Sequence, residues 1–132
     1  MTASRILLAG LSTSRWRSYH QHLRAAGFDC RLVFSGVECV AALRGFQPDV
    51  LVLDPNIAWG GGDGVLAVRD KQPELRNNLV MILTAGCEPS LLYRMSEYSI
   101  DDLVWQPVSA THLQQRLECL LSFQRVEATV AC

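Results

Sequence analysis

Short apolar runs that each end at a single polar residue constrain the fold of this chain more than any other feature of its sequence. The three runs and their polar residues are LVLDP at 51–55 with Asp54, VMILTAG at 80–86 with Thr84, and DLVWQP at 102–107 with Gln106. Strands that are apolar throughout belong to parallel sheets that are covered on both faces. Ligands bind such sheets at the carboxyl ends of the strands, so we expect the three polar side chains to face one crevice.

Strand-like and helix-like patterns alternate five times along the chain. The predicted strands lie at about 6–9, 30–34, 50–53, 79–83 and 102–105. The predicted helix starts are the turn 12–14, Ser35, Asp63 as an N-cap, Pro89 in a first turn, and Ser109. We expect the fourth helix to continue to about residue 99. This alternation predicts an α/β fold, a doubly wound five-stranded parallel sheet of order 2-1-3-4-5.

Composition narrows the class of protein further. The chain has 132 residues, which suits one domain, and a net charge of −1, which gives no electrostatic reason to expect nucleic acid or an anionic membrane as a partner. No apolar stretch approaches the roughly 20 residues of a membrane span, and we expect no signal peptide. Five cysteines, an odd number without CxxC spacing, predict free thiols in the reducing cytoplasm.

Over residues 4–122 the chain resembles the CheY-like receiver domain of two-component response regulators. RILLAG matches the first strand, LVLDPN the strand with the phosphorylated aspartate, LTAG the strand with a functional hydroxyl, and DDLVWQPV the last strand. The resemblance implies the flavodoxin-like receiver fold and a role in phosphorelay signal transduction. Residues 123–132 are then a C-terminal tail or the start of a linker.

The resemblance assigns roles to four residues of the crevice. Asp54 matches the phosphoacceptor, and Thr84 matches the hydroxyl that orders its loop against the phosphoryl group. Asn56 matches the residue whose carbonyl oxygen binds magnesium, and Ala85 matches the small residue beside the site.

Other crevice positions depart from the family pattern. The acidic pair of the family falls at Gly10 and Leu11, its lysine at Gln106, and its switch aromatic at Leu103. Magnesium prefers several oxygen ligands, and a neutral amide cannot offset phosphoryl charge. We therefore predict an atypical, degenerate receiver (a pseudo-receiver) with no cofactor or only weakly bound Mg²⁺. The step from Gln106 to Pro107 matches a Lys-Pro step, which implies a cis peptide bond.

The segment 91–98 carries more apolar residues than one buried face of a helix needs, and this excess predicts a protein interface. The interface candidates are Leu91, Leu92, Tyr93, Met95, Tyr98, Leu103 and Trp105. The partner would be an output domain, another protein such as a histidine kinase, or a second copy in a homodimer. For Trp105, packing in the core remains an alternative.

Several alternatives stay open at this point. Asp54 is either a working phosphoacceptor, with other groups in place of the missing acids and lysine, or a hydrogen-bonded relic. If it is a relic, Thr84 simply bonds its local backbone. The LSTSR turn at 11–15 would suit a flavodoxin-like binder of phosphate or flavin. Trp59 either covers the Asp54 pocket or contacts a partner, and Trp16 packs on the sheet. No set of catalytic residues can be assembled, so we expect no enzyme.

Overall fold

The computed structural model describes the backbone of residues 3–131 and the side chains of residues 3–123. The strands are β1 (Arg5–Ala9), β2 (Asp29–Val33), β3 (Val50–Leu53), β4 (Leu79–Thr84) and β5 (Asp102–Trp105). The helices are α1 (Ser14–Ala25), α2 (Gly36–Gly45), α3 (Gly61–Lys71), α4 (Pro89–Met95) and α5 (Ala110–Ala131), with a 3-10 turn at Pro73–Leu75. Strands and helices alternate throughout, as the sequence pattern predicts.

The five strands form one parallel sheet in the order β2-β1-β3-β4-β5, which confirms the predicted topology. In the register of the sheet, Leu53 pairs with Ala9 on one side and with Ile82 on the other. Thr84 at the end of β4 pairs with Trp105 at the end of β5. The carboxyl ends of the four strands β1, β3, β4 and β5 therefore meet at one edge of the sheet.

Alternating side chains of each strand enter two separate core layers, because successive residues of a strand point to opposite faces. Val50 and Val52 pack with α1 and α5, whereas Leu51 and Leu53 pack with α2, α3 and α4. All four are fully buried. Burial on both faces explains why the strands are apolar throughout, instead of alternating between apolar and polar residues.

Two predicted helix boundaries are wrong. The third helix begins three residues early, at Gly61, so Asp63 lies in its first turn and is not its cap. Gly60 caps it with φ of 104°, a left-handed conformation that suits glycine. The fourth helix ends at Met95, because the Ser96 hydroxyl donates to the carbonyl oxygen of Tyr93 at 2.6 Å and closes its last turn.

Helix caps elsewhere follow the prediction. The Ser35 hydroxyl accepts the N–H of Glu38 at 3.1 Å, and the Ser109 hydroxyl accepts the N–H of His112 at 3.0 Å. The backbone of α5 remains helical to Ala131, so the proposed boundary at residue 122 falls inside this helix and stays a prediction. Of the helices in the described part of the chain, none is long and apolar enough to cross a membrane.

Candidate functional site

The crevice at the carboxyl edge of the sheet collects the residues that the sequence singles out. The N–H of Asp54 donates to the carbonyl of Ala9 at 2.9 Å and joins the ends of β3 and β1. The N–H of Gln106 donates to the carbonyl of Thr84 at 2.8 Å and joins the ends of β5 and β4. These backbone bonds place the three polar residues and Gly10 along one edge.

Asp54 is a buried carboxyl group without a cationic partner among the described residues. Asp54 is only 2% exposed, and its Oδ1 atom accepts a hydrogen bond from the N–H of Asn56 at 2.8 Å. The ion pairs of the described region, Arg94–Asp63 and Arg116–Asp102, involve other carboxylates. Desolvation by burial raises the pKa of Asp54, and the bond from Asn56 opposes that rise only in part. The crevice therefore favours the neutral form of Asp54 more than water does.

Replacing Asp54 with asparagine is expected to raise the melting temperature at neutral pH by a few degrees. Because burial raises its pKa, Asp54 contributes most to stability below its ordinary pKa of 3.8, and this contribution is lost as pH rises through the raised value. Asparagine keeps an oxygen for the Asn56 N–H but carries no charge. A gain on the order of 1 kcal/mol corresponds to about 3–5 °C.

Thermal unfolding of both proteins between about pH 3 and about pH 8 measures this difference, because the lower limit lies below the ordinary pKa of 3.8. The gain should shrink toward zero at the acid end, where Asp54 is protonated in both the folded and the unfolded state. The exposed Asp70 provides a matched control, since Asp70→Asn removes the same charge from the surface. A variant Asp54→Asn less stable than the wild type at neutral pH would contradict the role of desolvation.

Thr84 and Asn56 hold the two loops that border Asp54. The Thr84 hydroxyl oxygen accepts the N–H of Gly86 at 2.9 Å, and the Asn56 amide donates to the carbonyl of Gly86 at 2.9 Å. Thr84 is fully buried, whereas Ala85 is exposed. Thr84 thus bonds its local backbone, as one sequence interpretation proposed, and the loops after β3 and β4 are tied together.

Gln106 supplies a neutral amide where the family resemblance places a lysine. The peptide bond to Pro107 is cis, as the resemblance implies. The Gln106 Nε2 atom is buried and has no hydrogen-bond partner in the described part of the protein. An amide can donate to an anion but brings no positive charge.

The donor set does not fit a resident magnesium ion. Magnesium demands near-octahedral oxygen ligands and usually binds through more than one carboxylate or through a phosphate. Gly10 is buried against the indole of Trp16, and the side chain of Leu11, which is 37% exposed, offers only carbon atoms. No three His, Cys, Asp or Glu side chains come together as metal ligands in the described region. Of the magnesium ligands that the resemblance implies, the described residues supply Asp54 and the carbonyl of Asn56.

Trp59 borders a different part of the molecule from Asp54. It is 78% exposed and lies on the rim of an apolar groove of about 550 Å³ between α2 and α3. The Gly36 N–H donates to the carbonyl of Ala58 at 2.7 Å and draws this loop toward α2. The interpretation that Trp59 covers the Asp54 pocket is therefore wrong. Sequence periodicity carried no signal for the groove, because its two walls come from separate helices.

The interface candidates separate into exposed and buried residues. Tyr93, Trp105 and Leu103 are 73%, 54% and 38% exposed. Met95 is fully buried in the core layer of α2, α3 and α4, so its assignment to an interface is wrong. The partly buried candidates are Leu91, Leu92 and Tyr98. The short α4 explains this separation, since its single buried position is filled by Met95.

The hydroxyl-rich turn after β1 is occupied by contacts within the chain. The Thr13 hydroxyl accepts the N–H of Trp16 at 3.4 Å and caps α1. The Ser12 hydroxyl accepts a bond from the Arg17 guanidinium at 2.9 Å. The hydroxyls of Ser12 and Thr13 are therefore engaged within the chain, which weakens the case for a phosphate or flavin binder.

Two proteins of known function share sequence similarity with the chain, although no protein-family model matches it. The phosphate regulon transcriptional regulatory protein PhoB of Rhizobium meliloti is 29% identical over 100 residues, which cover 76% of this chain and 44% of PhoB. Hybrid signal transduction histidine kinase D of Dictyostelium discoideum is 24% identical over 94 residues, which cover 71% of this chain and 6% of the kinase. The chain thus spans less than half the length of either relative.

Solved structures of similar fold come from several microorganisms. A CheY-like response regulator receiver domain of Methanospirillum hungatei has a TM-score of 0.83 at 17% identity, covering 95% of this chain and 98% of that one. The receiver domain of a signal transduction histidine kinase of Syntrophus aciditrophicus has a TM-score of 0.79 at 27% identity, covering 91% of each chain. The receiver domain of the Pseudomonas aeruginosa sensor histidine kinase PA1611, which holds magnesium in its active-site cleft, has a TM-score of 0.77 at 20% identity, covering 88% and 95%.

Proposed function

We propose that this chain, which has the receiver fold and sequence relatives in two-component signalling, is an atypical receiver domain. In this proposal it is a regulatory protein-interaction module and not an enzyme, and its contacts do not require magnesium-dependent phosphorylation of Asp54. Its partners would be a second copy, an output domain or a histidine kinase. A cytoplasmic location is supported by the free thiols of Cys30, Cys39, Cys87 and Cys119.

The neutral surroundings of Asp54 are the observation that carries this proposal. Phosphoryl transfer to a carboxylate needs positive charge to neutralise the transferred oxygens. Gly10 and Leu11 offer no side-chain ligand for a metal, and Gln106 brings a neutral amide where the resemblance places an ammonium group. Burial raises the pKa of Asp54 and disfavours the ionised nucleophile. These features support a module that signals through contacts.

The proposed contact surface is the exposed side of β5, formed by Leu103 and Trp105 and called here the β5 face. Val104 points to the opposite side and is buried in the core layer of α1 and α5. Because β5 is an edge strand and the seven-residue α4 is short, the β5 face keeps two large apolar side chains in solvent. Exposed apolar residues on a sheet edge favour association with another chain.

We expect the wild-type chain to form a homodimer through the β5 face, with or without acetyl phosphate and MgCl₂. Trp105→Asp should weaken dimerisation at least tenfold, since burial of one indole removes about 150–250 Å² of surface from water. An aspartate at the same position would have to be desolvated in the interface. Sedimentation velocity over a concentration series measures the dissociation constant.

Trp59→Asp is the matched control, because Trp59 is even more exposed but lies beside the α2–α3 groove. This variant should dimerise like the wild type. A wild-type chain that stays monomeric at every concentration, or equal losses from both variants, would contradict the homodimer through the β5 face.

Mass spectrometry of the same samples tests the alternative function, a working phosphoacceptor. The position of Asp54 at the end of β3, beside the buried Thr84, favours this alternative. We expect acetyl phosphate and MgCl₂ to leave the mass of the chain unchanged. A stoichiometric phosphoryl adduct that disappears in Asp54→Ala and changes the assembly state would establish the alternative.

A further inference from the structure

Gly10 stands where the receiver resemblance places the first acidic side chain, and its lack of a side chain has a local cause. It is buried at the end of β1, and its N–H donates to the carbonyl of Val33 at 3.1 Å. Its φ lies outside the left-handed region, so backbone conformation does not call for glycine at this position. The requirement therefore comes from a neighbouring side chain.

The indole of Trp16 fills the space above Gly10. A Cβ atom on Gly10 would lie 2.2 Å from Cδ2, 2.3 Å from Cε2 and 2.5 Å from Cε3 of that ring. Carbon atoms that are not bonded pack at about 3.5–4.0 Å. No residue with a side chain fits at position 10 while the indole keeps its place.

Trp16 is fixed by its surroundings. It is 1% exposed and packs edge-on against Tyr19, with ring centroids 6.1 Å apart and an angle of 76° between the planes. The Tyr19 hydroxyl donates to the carbonyl of Val108 at 2.8 Å, in the loop that carries Gln106. Displacing the indole would therefore disturb the contact between α1 and the loop before α5.

We infer that Trp16 acts as a fixed apolar plug at the cation position of the crevice, so that the domain takes no divalent cation. The missing acids at positions 10 and 11 are then only one of two obstacles to a cation. The other is the Trp16 indole, which fills the space that an acidic side chain at position 10 would need. This inference rests on the proposed function for the assignment of the acidic pair to positions 10 and 11. It predicts that restoring both acids creates no cation site unless Trp16 also becomes smaller.

Isothermal titration calorimetry with MgCl₂ on the full chain tests the plug. The wild type and the double variant Gly10→Asp/Leu11→Asp should show no saturable binding, or the double variant should fail to fold. The triple variant Gly10→Asp/Leu11→Asp/Trp16→Leu should bind Mg²⁺ saturably, and a folded triple variant without such binding would overturn the inference. Circular dichroism establishes which variants are folded.

The matched control carries Trp59→Leu in place of Trp16→Leu and should behave like the double variant. If the triple variant does not fold, the variant Leu11→Asp/Trp16→Leu, which keeps Gly10, is compared with Leu11→Asp alone. The variant in which Trp16 is replaced should bind Mg²⁺ more tightly. A folded double variant that binds Mg²⁺ as tightly as the triple variant, or tight binding by the wild type, would overturn the inference. Dimerisation through the β5 face is measured separately, so failure of one proposal leaves the other standing.

Discussion

Replacing Gly10 with alanine is expected to destabilise the domain by about 3 kcal/mol, the upper part of the range for overpacking in a core. The added Cβ would lie 2.2 Å from the Trp16 indole, so β1 or α1 has to move. For a chain of this length, the loss corresponds to a melting temperature lower by roughly 10 °C. Thermal unfolding followed by far-UV circular dichroism measures the change.

Gly45→Ala is the matched control, because Gly45 ends α2 and a Cβ there would meet no atom within 4 Å. Alanine at this helical position should be neutral or slightly stabilising. In a Trp16→Leu background, Gly10→Ala should cost clearly less than in the wild type, which a double-mutant cycle would show. Equal costs in the two backgrounds would show that the indole is not the cause.

Replacing Asn78 with alanine is expected to cost about 2 kcal/mol, because it leaves a buried guanidinium without one of its acceptors. Arg69 is 7% exposed, and desolvation lowers its pKa. Its Nε donates to Asn78 Oδ1 at 2.8 Å, and its Nη2 donates to the Asn78 carbonyl at 2.7 Å. The Asn78 amide in turn donates to the carbonyl of Leu75 at 2.8 Å. Urea denaturation of wild type and variant measures the free energy of unfolding.

Arg69→Met should cost less than Asn78→Ala, since methionine removes the charge and its donors together while it still fills the space. Asn77→Ala, at the exposed neighbouring position, should leave stability within about 0.5 kcal/mol of the wild type. If Arg69→Met is the more destabilising of the two, the guanidinium group of Arg69 itself stabilises the turn at Asn78. The cost of leaving its donors unpaired is then not the main effect.

Local signals in the sequence were sufficient for most of the fold. The apolar run 50–53 predicted a strand buried on both faces, and all four of its residues are fully buried. Caps at Ser35 and Ser109 were predicted because each hydroxyl bonds an N–H only three residues away. Gly60 and Ser96 were missed, since a left-handed cap and an early helix end depend on backbone angles that several sequences permit.

The candidate site was predicted in part. The alternation of strands and helices placed Asp54, Thr84 and Gln106 at one edge, because parallel strands in this order end together. The exposure of Trp59 and the burial of Met95 could not be predicted in the same way. Both depend on how α3 and α4 dock beside their neighbours, and helical periodicity does not specify docking.

The sequence by itself determined the order of the strands and the residue types Gly10, Leu11 and Gln106, because periodicity and residue type are local properties of the chain. Only the tertiary structure decided that Trp16 lies over Gly10 and that Leu103 and Trp105 remain in solvent. These contacts join or expose residues from different elements. They depend on how closely the side chains of the helices pack against those of the sheet, and no single segment of sequence encodes that packing.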